Sequence, residues 1–217
     1  MADQATLLID LDPQCNATTG CGATPGAQHP LIRNHPIRDQ LVETGHDRMS
    51  LLPGCRSFHD VDVLNQGGYA PVLRRHLQEE LSDFNYVLID CPPSLGALTQ
   101  TALASADEVL MPIQCEYFAM EGLTQMIQVI RQIMDQPGHK LEFGGIALTM
   151  YDDTLELTEE VENDVRDFFG GIVFDTVIPR DVAVSEAPSF GRSVLEHAPL
   201  SKGARAYVEL AMEVLER

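Results

Sequence analysis

Apolar runs and amphipathic stretches alternate along the chain. Residues 5–11 form a first apolar run that ends in carboxylates and read as a buried strand. A polar, Gly/Thr-rich loop follows to about residue 30. Met49 to Leu52 reads as a second strand. Residues 69–82 read as a helix with Val72, Leu73, Leu77 and Leu81 on one face. Tyr86 to Asp90 is a third strand, again apolar and closed by an acid, and Val109 to Ile113 a fourth. Residues 117–135 place Met120, Leu123, Met126, Ile127, Ile130 and Ile133 on the inward side of a helix. Ile146 to Met150 and Ile172 to Ile178 complete the strands. A last helix opens at Ser201, an N-cap residue type, and runs to Arg217, with Tyr207, Leu210, Ala211 and Val214 expected to pack on the sheet. This alternation predicts an α/β, doubly wound, mostly parallel sheet with helices on both faces.

Composition narrows the function classes. The 44% hydrophobic content suits a packed core. There is no run of about 18 apolar residues and no basic n-region, which predicts a cytoplasmic protein outside the membrane. Cys15, Cys21, Cys55, Cys91 and Cys115 form no Cys-x-x-Cys pair and read as free thiols in a reducing compartment. No histidine or cysteine spacing suggests a zinc site or an iron–sulfur carrier. With 33 acidic and 14 basic residues the net charge is -19. Such a field repels a phosphate backbone or an anionic membrane unless a local basic patch opposes it.

In open parallel sheets, ligands bind beyond the carboxyl ends of the strands. Asp10, Asp12 and Asp90 stand at such ends. Each alone could serve only a turn. An apolar strand ending in Asp is also the Walker B pattern, in which the acid holds Mg²⁺ directly or through water.

Four segments carry a resemblance when taken in order. They are Leu8-Ile9-Asp10-Leu11-Asp12-Pro13-Gln14 with Asn16-Ala17-Thr18-Thr19-Gly20, Val87-Leu88-Ile89-Asp90-Cys91-Pro92-Pro93-Ser94-Leu95-Gly96, Pro112-Ile113-Gln114-Cys115-Glu116-Tyr117-Phe118 running on to Leu123, and Val177-Ile178-Pro179-Arg180-Asp181 running on to Gly191. Together they resemble the ParA/Soj family of deviant P-loop partition ATPases from about residue 5 to the C-terminus. The resemblance implies a single ATPase domain over 1–217, ATP and Mg²⁺ as cofactors, a nucleotide-dependent homodimer and a partition-type activator protein. It implies that Asp12 orients the attacking water and that Asp10 helps organise Mg²⁺ and its waters. Asp90 would be the Walker B acid. Pro179, Arg180 and Asp181 would lie beside the adenine, and the third segment near the dimer interface.

The family's phosphate loop is not found. The two lysines, Lys140 and Lys202, both lie outside any Gly-x-x-x-x-Gly-Lys-Ser/Thr context. The domain is therefore expected to be N-terminally incomplete, without the first strand, loop and helix, and inactive as it stands. Two accounts fit: Met1 is an internal methionine of a longer protein, or the chain is a short non-catalytic binding module or regulator that has lost hydrolysis. The first explains why the switch carboxylates are retained. DNA binding is doubtful, because Thr154 and Ala183 occupy the positions where DNA-binding relatives carry arginine. Asp152, Asp153, Glu156, Glu159 and Glu160 surround the first of them. In the C-terminal half, Arg166, Arg180, Arg192 and Arg205 could form a small patch. A MinD-like membrane cycle is also disfavoured, since the last helix lacks a basic amphipathic face.

Overall fold

Each parallel strand must return to the same end of its sheet through a crossover, so the helices between strands fix the topology. The computed structural model describes residues 4–33, 35–56, 58, 69–135 and 141–217. Packing divides the chain into two compact units. The first is Met1–Ala106 with Pro188–Arg192, and the second is Asp107–Ala187 with Ser193–Arg217.

In the first unit, β1 (Thr6–Asp10), β2 (Val42–Glu43), β3 (Met49–Leu52) and β4 (Tyr86–Asp90) form one sheet in the order β2-β3-β1-β4. β1 runs parallel to β3 and β4, and β2 is antiparallel to β3. Leu8 is level with Leu51 and Leu88, and Asp10 is level with Asp90. Leu7 and Ile9 are buried against Leu73, Leu81 and Ala102, with Val87, Ile89 and Leu77 packed around them. Each fully buried aliphatic side chain contributes ~1.5–3 kcal/mol, so this face supplies most of the unit's cohesion. Leu73 belongs to α3 (Tyr69–Glu79), while Leu81 lies just beyond its end. The side chain of Val72 is outside the described residues. On the alternate positions of β4, Tyr86 is 44% and Leu88 55% exposed.

The strip Pro188–Arg192 returns to the first unit. There Gly191 (φ +62°) meets Gly22 (φ +73°), and a Cβ on Gly191 would stand 2.7 Å from the Gly22 Cα. Both the dihedrals and the spacing require glycine.

In the second unit, β5 (Glu108–Gln114), β6 (Glu142–Tyr151) and β7 (Val173–Pro179) are parallel in that order. The helix α5 (Ala119–Met134) buries Leu123, Ile127, Ile130 and Ile133, as its periodicity predicts. Ser201 caps α9 (Lys202–Glu216), its side chain accepting from the Ala204 N–H. The sequence-based inward face of α9 needs correction. Leu210 is half-buried, but Tyr207, Ala211 and Val214 are exposed. Its buried positions are instead Gly203, Ala204 and Ala206. Small residues allow close approach there, since a Cβ on Gly203 would come 2.4 Å from Val184 Cγ2.

The backbone of β7 is bonded by side chains. Glu213 accepts from the N–H groups of Asp175 (2.8 Å) and Thr176 (3.0 Å). Arg166, from α6 (Glu156–Phe169), donates to the carbonyls of Phe174 and Asp175. Arg217 donates to those of Ile172 and Val173, and its guanidinium lies 4.1 Å above the Phe174 ring. Among the described residues, no helix is long and apolar enough to cross a membrane.

Candidate functional site

The register of β1 and β4 brings Asp10 and Asp90 level at the carboxyl end of the first unit's sheet. Adjacent strands are ~4.8 Å apart, so the two carboxylates share one neighbourhood. Asp10 is fully buried and already engaged. The Thr18 hydroxyl and backbone N–H both donate to its Oδ2, at 2.5 and 2.8 Å, and the Asp12 N–H donates to Oδ1 at 3.1 Å. Thr18 Oγ1 in turn accepts from the Gly54 N–H at 2.8 Å. A Cβ on Gly54 would stand 2.9 Å from the Asp10 carboxyl carbon, so only glycine fits. This network ties β1, the short helix α1 (Asn16–Gly20) and the turn after β3 together.

Asp12 lies one turn further on. Its Oδ1 accepts from the Gln14 N–H at 2.9 Å, and its own carbonyl accepts from the Cys15 N–H. Cys15 holds a left-handed φ of 56°, an unfavourable conformation outside glycine that persists where the surroundings impose it. Asp90 is half-buried. Burial, then the negative charges of Asp10 and Asp12, push its carboxyl up to about 6. Burial and the charges of Asp90 and Asp12 push the neighbouring Cys91 thiol to about 12, which makes it a poor nucleophile at neutral pH.

The arrangement suits a hard cation held by few protein ligands. No three His, Cys, Asp or Glu side chains among the described residues form a group that could hold a metal by themselves. Asp10 is spent on Thr18. Asp90, starved of positive charge, remains as a single oxygen ligand of the kind Mg²⁺ takes together with waters and phosphate oxygens. The donor set therefore fits Mg²⁺.

Pro179, Arg180 and Asp181 belong to the second unit, at the end of β7. Asp181 caps α7 (Val182–Glu186), accepting from the Ala183 N–H at 2.9 Å, and also accepts from the Gly203 N–H at 2.8 Å. These two donors hold its carboxyl below the usual range. Arg180 reaches Glu116 at 3.4 Å on the surface, and its N–H donates to the Tyr151 carbonyl. Thr154 donates to Asp152 in the turn before α6, and Ala183 serves in the Asp181 cap. The structure therefore gives both positions local turn roles. Lys140 lies outside the described residues.

Comparison with known proteins then decides the family. The AAA domain family matches residues 1–143. The chromosome partitioning protein ParA of Caulobacter vibrioides is 41% identical over 99% of this chain and 84% of its own length. The chain belongs to the ParA/Soj family of partition ATPases. The chromosome-partitioning ATPase Soj of Treponema pallidum is 38% identical over 100% of the chain and 87% of that protein. Among solved structures, the cobyrinic acid a,c-diamide synthase of Mycobacterium smegmatis with bound ADP and magnesium superposes with a TM-score of 0.82. It shares 32% identity over 98% of this chain and 82% of that one. These likenesses place the chain in the P-loop NTPase fold.

Sequence reasoning found the three carboxylates but missed Thr18 and Gly54. A Thr in the segment after Asp12 was visible, but its bond to Asp10 spans eight residues and a chain reversal, and Gly54 is 36 residues further on.

Proposed function

We propose that this ParA/Soj-family chain carries the metal and water-positioning half of an ATP-driven partition or cargo-positioning switch. The carrying observation is the pairing of an engaged Asp10 with an unengaged, charge-crowded Asp90 at one strand level. In this reading Asp90 takes Mg²⁺, which neutralises phosphate charge. Asp10 fixes the loop through Thr18, and that loop presents Asp12 to the attacking water. Proper orientation of the water supplies much of the acceleration in phosphoryl transfer. Pro179, Arg180 and Asp181 flank the adenine. The dimer and an activating protein partner belong to the same reading, and the acidic balance argues against DNA as the scaffold.

The phosphates need backbone N–H groups and a lysine that residues 1–217 do not supply in a phosphate-loop pattern. The chain by itself is therefore inactive. Joined to a strand, phosphate loop and helix, it binds Mg-ATP and hydrolyses it, and Asp12→Ala abolishes turnover while leaving binding intact. Calorimetric titration with ATP and Mg²⁺, alongside phosphate release, tests this. Turnover by the 217-residue chain that vanishes in Asp12→Ala would overturn the inactivity. An extended chain that ignores ATP would overturn the nucleotide reading.

A further inference from the structure

A helix of a single turn cannot hold itself, because nucleation costs more than its few bonds return. α1 is five residues long, and it carries Thr18, whose hydroxyl and N–H both bond Asp10. Its support lies at the carboxyl end. Gly22 stands in the left-handed region at φ +73°, and its N–H donates to the Thr19 carbonyl at 3.0 Å. The Ala23 N–H donates to the Thr18 carbonyl, also at 3.0 Å. This pair of bonds around a left-handed glycine is the Schellman ending of a helix. Here the ending closes on the residue that grips Asp10.

Gly22 is itself backed by another segment. Gly191, at φ +62°, lies so close that a Cβ on it would come 2.7 Å from the Gly22 Cα and 3.2 Å from the Gly22 nitrogen. In the other direction, a Cβ on Gly22 would stand 3.1 Å from the Gly191 carbonyl oxygen. The Gly191 N–H closes a turn on the Pro188 carbonyl at 3.0 Å, which fixes the residue within its own strip. Glycine on glycine brings two backbones together with no side chain to absorb a shift. A displacement of Gly191 therefore presses on Gly22, and through the Schellman bonds on Thr18, Asp10 and the loop that holds Asp12.

We propose that the strip Pro188–Arg192 is the seat of the loop Leu11–Gly22, and that Gly191 and Gly22 are positioning residues that set Asp12 for the attacking water. Neither glycine touches the reacting atoms. Each acts through the backbone it presses on. Only the role of Asp12 rests on the reading above; the seat stands without it.

Amide hydrogen exchange on the 217-residue chain reads the seat. Turnover by the chain joined to a strand, phosphate loop and helix reads the positioning. Gly191→Ala is expected to speed exchange at Thr18 and Gly54, whose N–H groups bond Asp10 Oδ2 and Thr18 Oγ1, by about tenfold or more. Asn85, which donates to the Ala5 carbonyl at the other end of β1, should keep its rate. Gly20→Ala adds a methyl to α1 at 3.8 Å from Pro188, an ordinary contact, and should leave all three rates unchanged. Gly170→Ala strains a backbone at φ +54° in open space, away from the seat, and should leave them unchanged too. Should Gly191→Ala fail to fold, Pro188→Gly loosens the same turn without adding an atom, and is expected to speed Thr18 and Gly54 in the same sense. In the joined chain, Gly191→Ala should bind ATP with the parent's stoichiometry while turnover falls about tenfold or more. Unchanged exchange at Thr18 and Gly54 overturns the seat, as does equal acceleration at Asn85. Faster exchange with full turnover overturns the positioning role, and so does a parallel loss of bound ATP and turnover. Faster exchange in a joined chain that never binds ATP upholds the seat and removes the nucleotide reading.

Discussion

β7 and β4 end their sheets in opposite ways. Along β7, Glu213 and two arginines bond the strand's backbone, and one of them also stacks on Phe174. Along β4, among the described residues, the Cys91 thiol donates to the Ile89 carbonyl, no side chain bonds the Val87 N–H, and Leu88 faces solvent. Both strands are apolar and parallel to a neighbour, so strand composition does not distinguish them. The difference lies in what distant helices deliver: among the described residues, helical side chains bond the backbone of β7 but not that of β4.

Proline is the sharpest probe of that contrast. Asp175→Pro removes an N–H bonded to Glu213 and should destabilise the second unit by ~3 kcal/mol or more. Val87→Pro should cost ~1 kcal/mol of packing, because its N–H has no partner among the described residues. Denaturant melts of both variants measure the gap, and equal losses would break the comparison. Glu213→Ala ranks next. It strands two backbone N–H groups, for an expected loss of ~2 kcal/mol.

The two carboxylates respond to pH in opposite senses. Burial raises Glu213, but the N–H groups of Thr176 and Asp175 and then Arg217 outweigh it, so its pKa is lowered on folding. Its contribution is present above the ordinary Glu range and fades as pH falls through the folded value. Asp90 is raised to about 6, so the folded state holds its proton more tightly, and stability drops as pH rises from about 4 to 6. Asp90→Asn should therefore gain on the order of 1 kcal/mol at pH 7.5, after discounting for partial exposure, and nothing near pH 3.5. Thermal melts across pH show whether the two slopes oppose. The smallest effect is expected from Leu88→Lys. A bare apolar position should accept the cation within ~0.5 kcal/mol, and a loss of several times that would mean Leu88 is already covered.

The same contrast explains what could be foreseen from sequence. Strands ending in acids were legible because apolar runs and their closing carboxylates are local. The helix Ala119–Met134 was legible because only one face of it is buried. The helix Ala97–Ser105 was not, since Ala97, Leu98, Thr99, Thr101, Ala102, Leu103 and Ser105 are all buried and no period survives. β6 begins at Glu142, earlier than the expected Ile146. At the site, the carboxylates could be chosen by position. The division of labour between Asp10 and Asp90 could not, because it depends on Thr18 and Gly54 arriving from elsewhere. The guards of β7 were equally hidden, since Glu213 sits on, and Arg217 just beyond, a helix whose inward face the pattern misplaces.

The strip Pro188–Arg192 bears on how such a molecule can be taken apart. The chain crosses from the first unit to the second after Ala106, comes back for five residues, and leaves again at Ser193. A gene cut at the first crossing would yield two pieces that each look self-contained in outline. Yet the N-terminal piece would lack the loop that seats Gly191 against Gly22, a contact with no room for even a methyl group. Separating the pieces there would cost the first unit a tightly packed strip of five residues.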